Sequence, residues 1–300
     1  MVSHFVLHSA KETRAMSDGM QTIQWFPGHM TKTRRKIAEN LKLIDIVAEI
    51  VDARIPQSSR NPDIDALVLN KPRIIILNKS DIADPQKNRI WLDYYKKQGI
   101  TAILVDCKSG KGVNLFVPTV KSILKDQLER ASHKGLNKSV RVMIVGIPNV
   151  GKSSFINRLS GGKKAKVEDR PGVTMGNQWF SISKDVELLD TPGILWPKFD
   201  DMLVAEKLAF TGAIKDNVLD VEQLAARLLT CLAADYAKNL VKRYKLENSC
   251  VVGKSGLEVL EVIAKKRGML LSGGKVDTER AAIMVLDEFR AAKLGRITLD

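Results

Sequence analysis

Hydrophobic positions along this 300-residue chain follow two regimes, with the change near residue 200. In the first, apolar residues gather in short runs: "IDIVAEIVDAR" (44–54), "PRIIILNKSD" (72–81), "TAILVDCKSG" (101–110) and the opening of "VRVMIVGIPNVGKSSFINRL" (140–159). These runs predict buried strands. Helical spacing around Ile90 to Gln98 and from Phe116 to Ala131 separates them, so parallel βαβ units are expected. "QWFSI" and "VELLDTPG" predict two further strands, an antiparallel edge pair turning at Ser183-Lys184-Asp185. Thr31 to Leu43 predicts a helix, capped by Thr31 or Thr33, with Ile37, Leu41 and Ile44 as its apolar stripe. Beyond Lys198 strand signals stop, and "VAEKLAFTGAI", "VEQLAARLLTCLAADYAKNLVKRY", "GLEVLEVIAKKRGML" and "TERAAIMVLDEFRAAK" all carry helical spacing. A boundary is expected near 198–205, dividing an α/β domain over 20–200 from a smaller all-α domain over 201–300. Residues 1–19 have no apolar core of a signal peptide and are expected to form a disordered extension.

Charge narrows the choice of partner. The formal net charge is +14, which favours a polyanion: RNA, DNA or an anionic membrane surface. No apolar run has the length of a membrane span, and no stable membrane association is expected. The three cysteines, Cys107, Cys231 and Cys250, show no zinc or redox spacing, and their odd number fits a reducing, cytoplasmic setting.

The segment "GIPNVGKS" matches G-x-x-x-x-G-K-S through Gly146, Gly151, Lys152 and Ser153, between a predicted strand and a predicted helix. Glycines let the backbone curl so that N–H groups converge on phosphate oxygens, and the helix start adds its positive end. Asn149, Val150, Gly151, Lys152, Ser153 and Ser154 are the expected phosphate-side residues. Lys152 would reach the β- and γ-phosphates, and the Ser153 hydroxyl would ligate Mg²⁺. In "NKSD" (78–81), the Asp81 carboxylate can accept from the N1–H and 2-amino groups of guanine, a pair adenine does not offer. Asn78 is expected near the opposite edge of the base, with Lys79 bracing the loop. "DCKSG" offers Cys107, Lys108 and Ser109 as a second base loop. In "DTPG" (190–193), Asp190 would hold the Mg²⁺ shell through water and the Gly193 N–H would sense the γ-phosphate. Thr174 of "RPGVT" is the further Mg²⁺ candidate.

The order of these parts is unusual: base loops first, phosphate loop third, switch segments last. The sequence resembles the circularly permuted GTPases, and specifically the ribosome biogenesis GTPase A (YlqF) family, in "QWFPGHM", "DIVAEIVDARIPQSSRNP", "NKSD", "GIPNVGKSSFINRL", "DRPGVT" and "LLDTPGILWPKF". The resemblance runs from about Gln21 onward and is looser in the helical part. It implies a P-loop GTPase fold, with GTP and GDP as ligands, followed by the α-helical RNA- or ribosome-binding domain. Permutation brings DTPG within a few residues of the helical domain, so "ILWPKFDD" (194–201) is expected to act as a short lever.

Many GTPases place a water-positioning glutamine just after D-x-x-G, and here that residue is Ile194. The resemblance implicates His29 of "WFPGHM" in hydrolysis instead, alongside Lys152. Likeness to potassium-dependent GTPases implies that Asn149 ligates K⁺. The resemblance also implies the large ribosomal subunit in late assembly as the partner; separately, the protein is expected to be a monomer off the ribosome. The basic clusters 31–36, 161–166, 238–245, 265–267 and 291–296 suit phosphate contacts taken together, though each alone reads as a solvated face. Two other readings stay open: a GTP-gated RNA-binding placeholder with incidental hydrolysis, and a GTPase serving a non-ribosomal process.

Overall fold

Six strands form one sheet: β1 (Ile46–Asp52), β2 (Arg73–Asn78), β3 (Thr101–Leu104), β4 (Val140–Val145), β5 (Gln178–Ser183) and β6 (Val186–Asp190). Their order across the sheet is β3-β2-β1-β4-β6-β5. Every neighbouring pair is parallel except β5 with β6, which runs antiparallel. The computed structural model describes residues 35, 37–68, 71–136, 138–161, 178–191, 193, 195, 201–214 and 220–300. The expectations for 1–19, "QWFPGHM", "RPGVT" and most of "ILWPKFDD" lie outside them.

All seven residues of β1 are buried because the strand is central and both faces of the sheet are covered. Its side chains alternate: Ile46, Ala48 and Ile50 enter one apolar cluster, while Val47 and Val51 face the opposite side. β4 repeats this pattern, with Val142 and Ile144 on the first face and Met143 and Val145 on the second. Helices close the layers: α1 (Pro62–Leu67), α2 (Pro85–Lys97), α3 (Phe116–Ile123), α4 (Lys125–His133) and α5 (Lys152–Leu159). Phe116 of α3 meets Phe155 of α5 edge-on with ring centroids 5.1 Å apart, a favoured arrangement for two aromatic quadrupoles.

Among the described residues five helices follow: α6 (Met202–Phe210), α7 (Val221–Asp235), α8 (Ala237–Tyr244), α9 (Gly256–Lys266) and α10 (Thr278–Arg290). Leu224, Leu228 and Leu232 of α7 join Val259 and Ile263 of α9 and Val285 and Phe289 of α10 in the first cluster, so one apolar core runs from the sheet into the helices. The all-α character expected after residue 200 is therefore present, apart from an isolated antiparallel bridge between Leu270 and Val276.

Several element limits differ from the sequence expectation, each for a local reason. The run 72–81 stops being a strand at Asn78, since Lys79 takes a left-handed φ of 61° and turns the chain. The single helix expected over Phe116 to Ala131 breaks at Leu124, where ψ reaches 11°. The long pattern from Val221 breaks at Tyr236, whose φ and ψ are −132° and 30°. The helix expected around Ile90 begins earlier, at Pro85, because Asp84 caps it by accepting from the Gln86 N–H at 2.8 Å. Asn61 followed by Pro62 starts α1 in the same way, an element the apolar periodicity does not indicate.

Candidate nucleotide-binding site

Parallel strands deliver their C-terminal ends to one edge of the sheet, and four of the expected motifs start there. β4 leads into the phosphate loop, β2 into NKSD, β3 toward DCKSG and β6 into DTPG. An α/β sheet of this kind binds ligands at that edge.

The phosphate loop is held tightly from outside. Asn78 donates from Nδ2 to the Val150 carbonyl at 2.7 Å and accepts at Oδ1 from the Cys107 N–H at 3.2 Å. Both ends of the Asn78 amide thus tie the phosphate loop to the base loop, and the residue is buried. Gly151 has φ of 98°, and a Cβ there would come within 2.3 Å of the Asn78 amide, so both conformation and space require glycine. Gly193 packs almost as closely, since a Cβ on it would lie 2.9 Å from Lys152 Nζ and 3.0 Å from Pro148 N. The DTPG segment therefore abuts the phosphate loop. Thr191 fixes it further by donating to the Ile144 carbonyl at 2.7 Å.

Lys152 Nζ donates to the carbonyls of Gly146 and Ile147 at 3.0 and 2.9 Å. Burial pushes its ammonium down to about 8, while the Asp190 carboxylate acts in the opposite sense. Burial raises Asp190 as well, opposed by Lys152. Asp190 Oδ1 is buried with no hydrogen-bond partner among the described residues. A hard oxygen left unpaired within electrostatic reach of Lys152, the residue before Ser153, fits the oxygen-donor chemistry of Mg²⁺. Ser153 and Asp190 are the described residues that would hold the ion, which would neutralise phosphate charge. Thr174 and His29 lie outside the described residues.

A pH dependence follows from Lys152. Bound phosphates favour its charged form, so the complex keeps a proton that the free protein loses above about pH 8. Below that pH both states are protonated and affinity is flat. Above it the complex binds more protons than the free protein, so nucleotide affinity falls as pH rises. Calorimetric titrations in two buffers of different ionisation enthalpy should show proton uptake at about pH 9 and none at about pH 7.

The expected base side is built from two loops. Lys79 and Asn149 both hold left-handed backbones, at φ 61° and 62°, and Lys79 Nζ donates to the Asn149 carbonyl at 2.8 Å. Ser80 donates from N and Oγ to the Val105 carbonyl at 3.2 and 3.0 Å, which joins NKSD to the end of β3. Asp81, the next residue, is half-buried. In the second loop Asp106 accepts from the Lys108 N–H at 2.8 Å and from the Ser109 hydroxyl. Arg158 of α5 donates to the Cys107 carbonyl at 3.3 Å. Cys107, Ser154, Asn157, Arg158 and Gly161 line an open cleft of about 520 Å³ there. Asn149 donates from Nδ2 to the Gly212 carbonyl, just after α6, at 2.6 Å, which leaves its Oδ1 as a cation-type donor.

The sequence alone assigns no role to Asp52, Arg54, Arg158 or Gly212. Asp52 and Arg54 stand in a stretch that carries the family resemblance, so a signal exists for them. Arg158 and Gly212 act through contacts that arise only once the chain is folded.

The sequence profile of the family described as "50S ribosome-binding GTPase" matches residues 141–257, a span that opens at β4 and leaves NKSD ahead of it. The ribosome biogenesis GTPase A of Priestia megaterium is 52% identical over 281 residues, covering 93% of this chain and 96% of that protein. The protein of the same name from Bacillus cereus is 45% identical over 279 residues, with 93% of each covered. A crystal structure of GNP-bound YlqF from T. maritima superposes with a TM-score of 0.63 at 31% identity, over 90% of this chain and 97% of that one. With the permuted sheet order, the phosphate loop and these likenesses together, the chain belongs to the ribosome biogenesis GTPase A (YlqF) family, P-loop GTPases that hydrolyse GTP in the service of ribosome assembly.

Proposed function

We propose that this GTPase acts in late maturation of the large ribosomal subunit, and that docking on that subunit raises its turnover. The observation that supports this most is the direct joint between the nucleotide loops and a basic helical region. Asn149 of the phosphate loop bonds to Gly212 at the head of that region. Its helices and loops expose Lys238, Lys242, Lys245, Lys265 and Lys266. Exposed cations on a chain of net charge +14 suit rRNA phosphates.

In this reading Asp81 selects guanine, and Lys79, Cys107, Lys108 and Ser109 complete the base side. The backbone from Asn149 to Ser154 cradles phosphates with Lys152. Ser153, Thr174 and Asp190 serve Mg²⁺, Asn149 serves K⁺, and Gly193 reports the γ-phosphate. His29 supplies the group that the apolar Ile194 cannot. The protein works in the cytoplasm as a monomer between rounds; among the described residues no helix is long and apolar enough to cross a membrane. Ile194 also favours a second reading, a GTP-gated RNA placeholder whose hydrolysis is slow and incidental.

Co-sedimentation tests the partner. Protein loaded with a non-hydrolysable GTP analogue should pellet with large subunits and not with small ones, and release as salt rises. Loading with GDP should weaken pelleting by about tenfold, the lower range of a nucleotide-coupled affinity change. Equal pelleting with small subunits, or none with either, would overturn the assignment.

A further inference from the structure

The end of β1 carries a charge cluster that phosphate and base chemistry do not account for. The Asp52 carboxylate accepts from Arg54 at Nε (3.0 Å), Nη2 (2.7 Å) and backbone N (3.0 Å). It also accepts from Lys79 Nζ at 2.9 Å, the same ammonium that reaches the Asn149 carbonyl. Burial pushes Asp52 up, but Arg54 and Lys79 outweigh it and hold the carboxyl below the usual carboxylate range. Asp52 therefore fixes the side chain that bridges NKSD and the phosphate loop. The next residue continues the tie, since the Ala53 N–H donates to the Asn78 carbonyl at 2.8 Å.

The stretch from Asp52 to Arg54 is gripped by the far end of the chain. The Leu299 N–H donates to the Arg54 carbonyl at 2.7 Å, and Thr298 Oγ1 donates to the Ala53 carbonyl at 3.2 Å. Phe289 of α10 lies under the Arg54 guanidinium, 5.4 Å from ring centroid to Cζ. On the other side, the Ile297 N–H donates to the Ile82 carbonyl at 3.2 Å, and Thr298 Oγ1 accepts from the Asp84 N–H at 3.1 Å. The fully buried Thr298 is thus wedged between the residue after Asp52 and the segment that follows Asp81. The Asp300 carboxylate anchors the wedge by accepting from the N–H groups of Gln57 and Ser58 at 2.7 and 2.9 Å and from Lys207 Nζ at 2.9 Å. Arg54 Nη1 is buried without a hydrogen-bond partner among the described residues.

We propose that Asp52 and Arg54 are positioning residues for guanine-nucleotide binding, and that the segment from Ile297 to Asp300 sets, through them, how firmly the base loop holds the nucleotide. The proposal rests on Asp81 as the guanine reader. Two left-handed residues, Lys79 and Asn149, persist because this frame over-determines them. Loosening the frame lets Asp81 drift. Because coupling free energies are reciprocal, a partner that shifts the helical region also shifts nucleotide affinity, and nucleotide shifts affinity for the partner.

The test uses fluorescent GDP and IDP, their dissociation rates and their affinity ratio, in the full chain. Inosine lacks the 2-amino group, so the GDP-to-IDP ratio reads the second hydrogen bond to Asp81. Thr298→Val keeps shape and burial while removing the hydroxyl, and Asp52→Asn removes the charge that holds Lys79. In both, GDP release should quicken by about tenfold and the GDP-to-IDP ratio should fall by about threefold or more, the range of one partly lost hydrogen bond. Thr298→Val decides the matter if Asp52→Asn does not fold. Equal acceleration of GDP and IDP with an unchanged ratio, or no change at all, overturns the proposal. A ratio that survives Asp81→Asn overturns the base reading itself, a failure distinguishable from the first.

Discussion

Asparagine in place of Asp81 should turn the protein from guanine to xanthine nucleotides. The aspartate follows a loop pinned at several points: Lys79 to Asn149, Ser80 to Val105, and Asn88 Nδ2 to the Ser80 carbonyl at 3.1 Å. Such a loop cannot readily re-aim to rescue a changed side chain. A carboxylate accepts two parallel N–H bonds from guanine, each charge-assisted. An amide presents one acceptor and one donor, so it meets the guanine 2-amino group with its own N–H. Losing one bond and creating that clash should lower GTP affinity by about a hundredfold. Xanthine carries a carbonyl where guanine has its amine, so the variant amide matches it. Competition of GDP and XDP against a fluorescent nucleotide measures the switch. Retained guanine preference would place base recognition elsewhere.

Alanine in place of His29 should abolish subunit-stimulated turnover while leaving nucleotide binding intact. Lys152 and the residues proposed for Mg²⁺ would neutralise charge without orienting a water. Ile194, in the position that carries glutamine in many GTPases, has no polar atom to do so. A positioned acid–base or water-orienting side chain contributes about 10² to 10⁴ in rate, so its loss should be of that order. Unstimulated turnover should change little, because in the proposed reading His29 acts only in the docked complex.

Much of the site was legible because the chemistry demands particular residues at particular spacings. Gly151-Lys152-Ser153 can be read without a fold, since phosphate needs backbone N–H groups, a cation and a hydroxyl in that order. Asp81 and Asp190 follow the same logic, and the sheet then brings them to one edge. Asn78 is different. Residue type placed it beside the base, but folding commits its amide to Val150 and Cys107, contacts 72 and 29 residues away in sequence. Tyr236 shows the limit for the helices. Its pattern continues the helical spacing, yet the helix breaks there and its hydroxyl accepts from the Thr298 N–H at 3.2 Å. The break serves a tertiary contact 62 residues on, which no local periodicity encodes. Asp52 and Arg54 stand in a stretch that carries the family resemblance, but their contacts were invisible for the same reason, since these reach NKSD and the end of the chain.

The most direct measurement is the GTP turnover of the wild type and of His29→Ala, each with and without purified large ribosomal subunits in potassium buffer. Subunits should accelerate the wild type by about a hundredfold, and the variant should bind them without responding. Equal acceleration of both proteins would contradict the role of His29. Turnover unchanged by subunits in the wild type would contradict the central claim, that this GTPase fires on the large subunit.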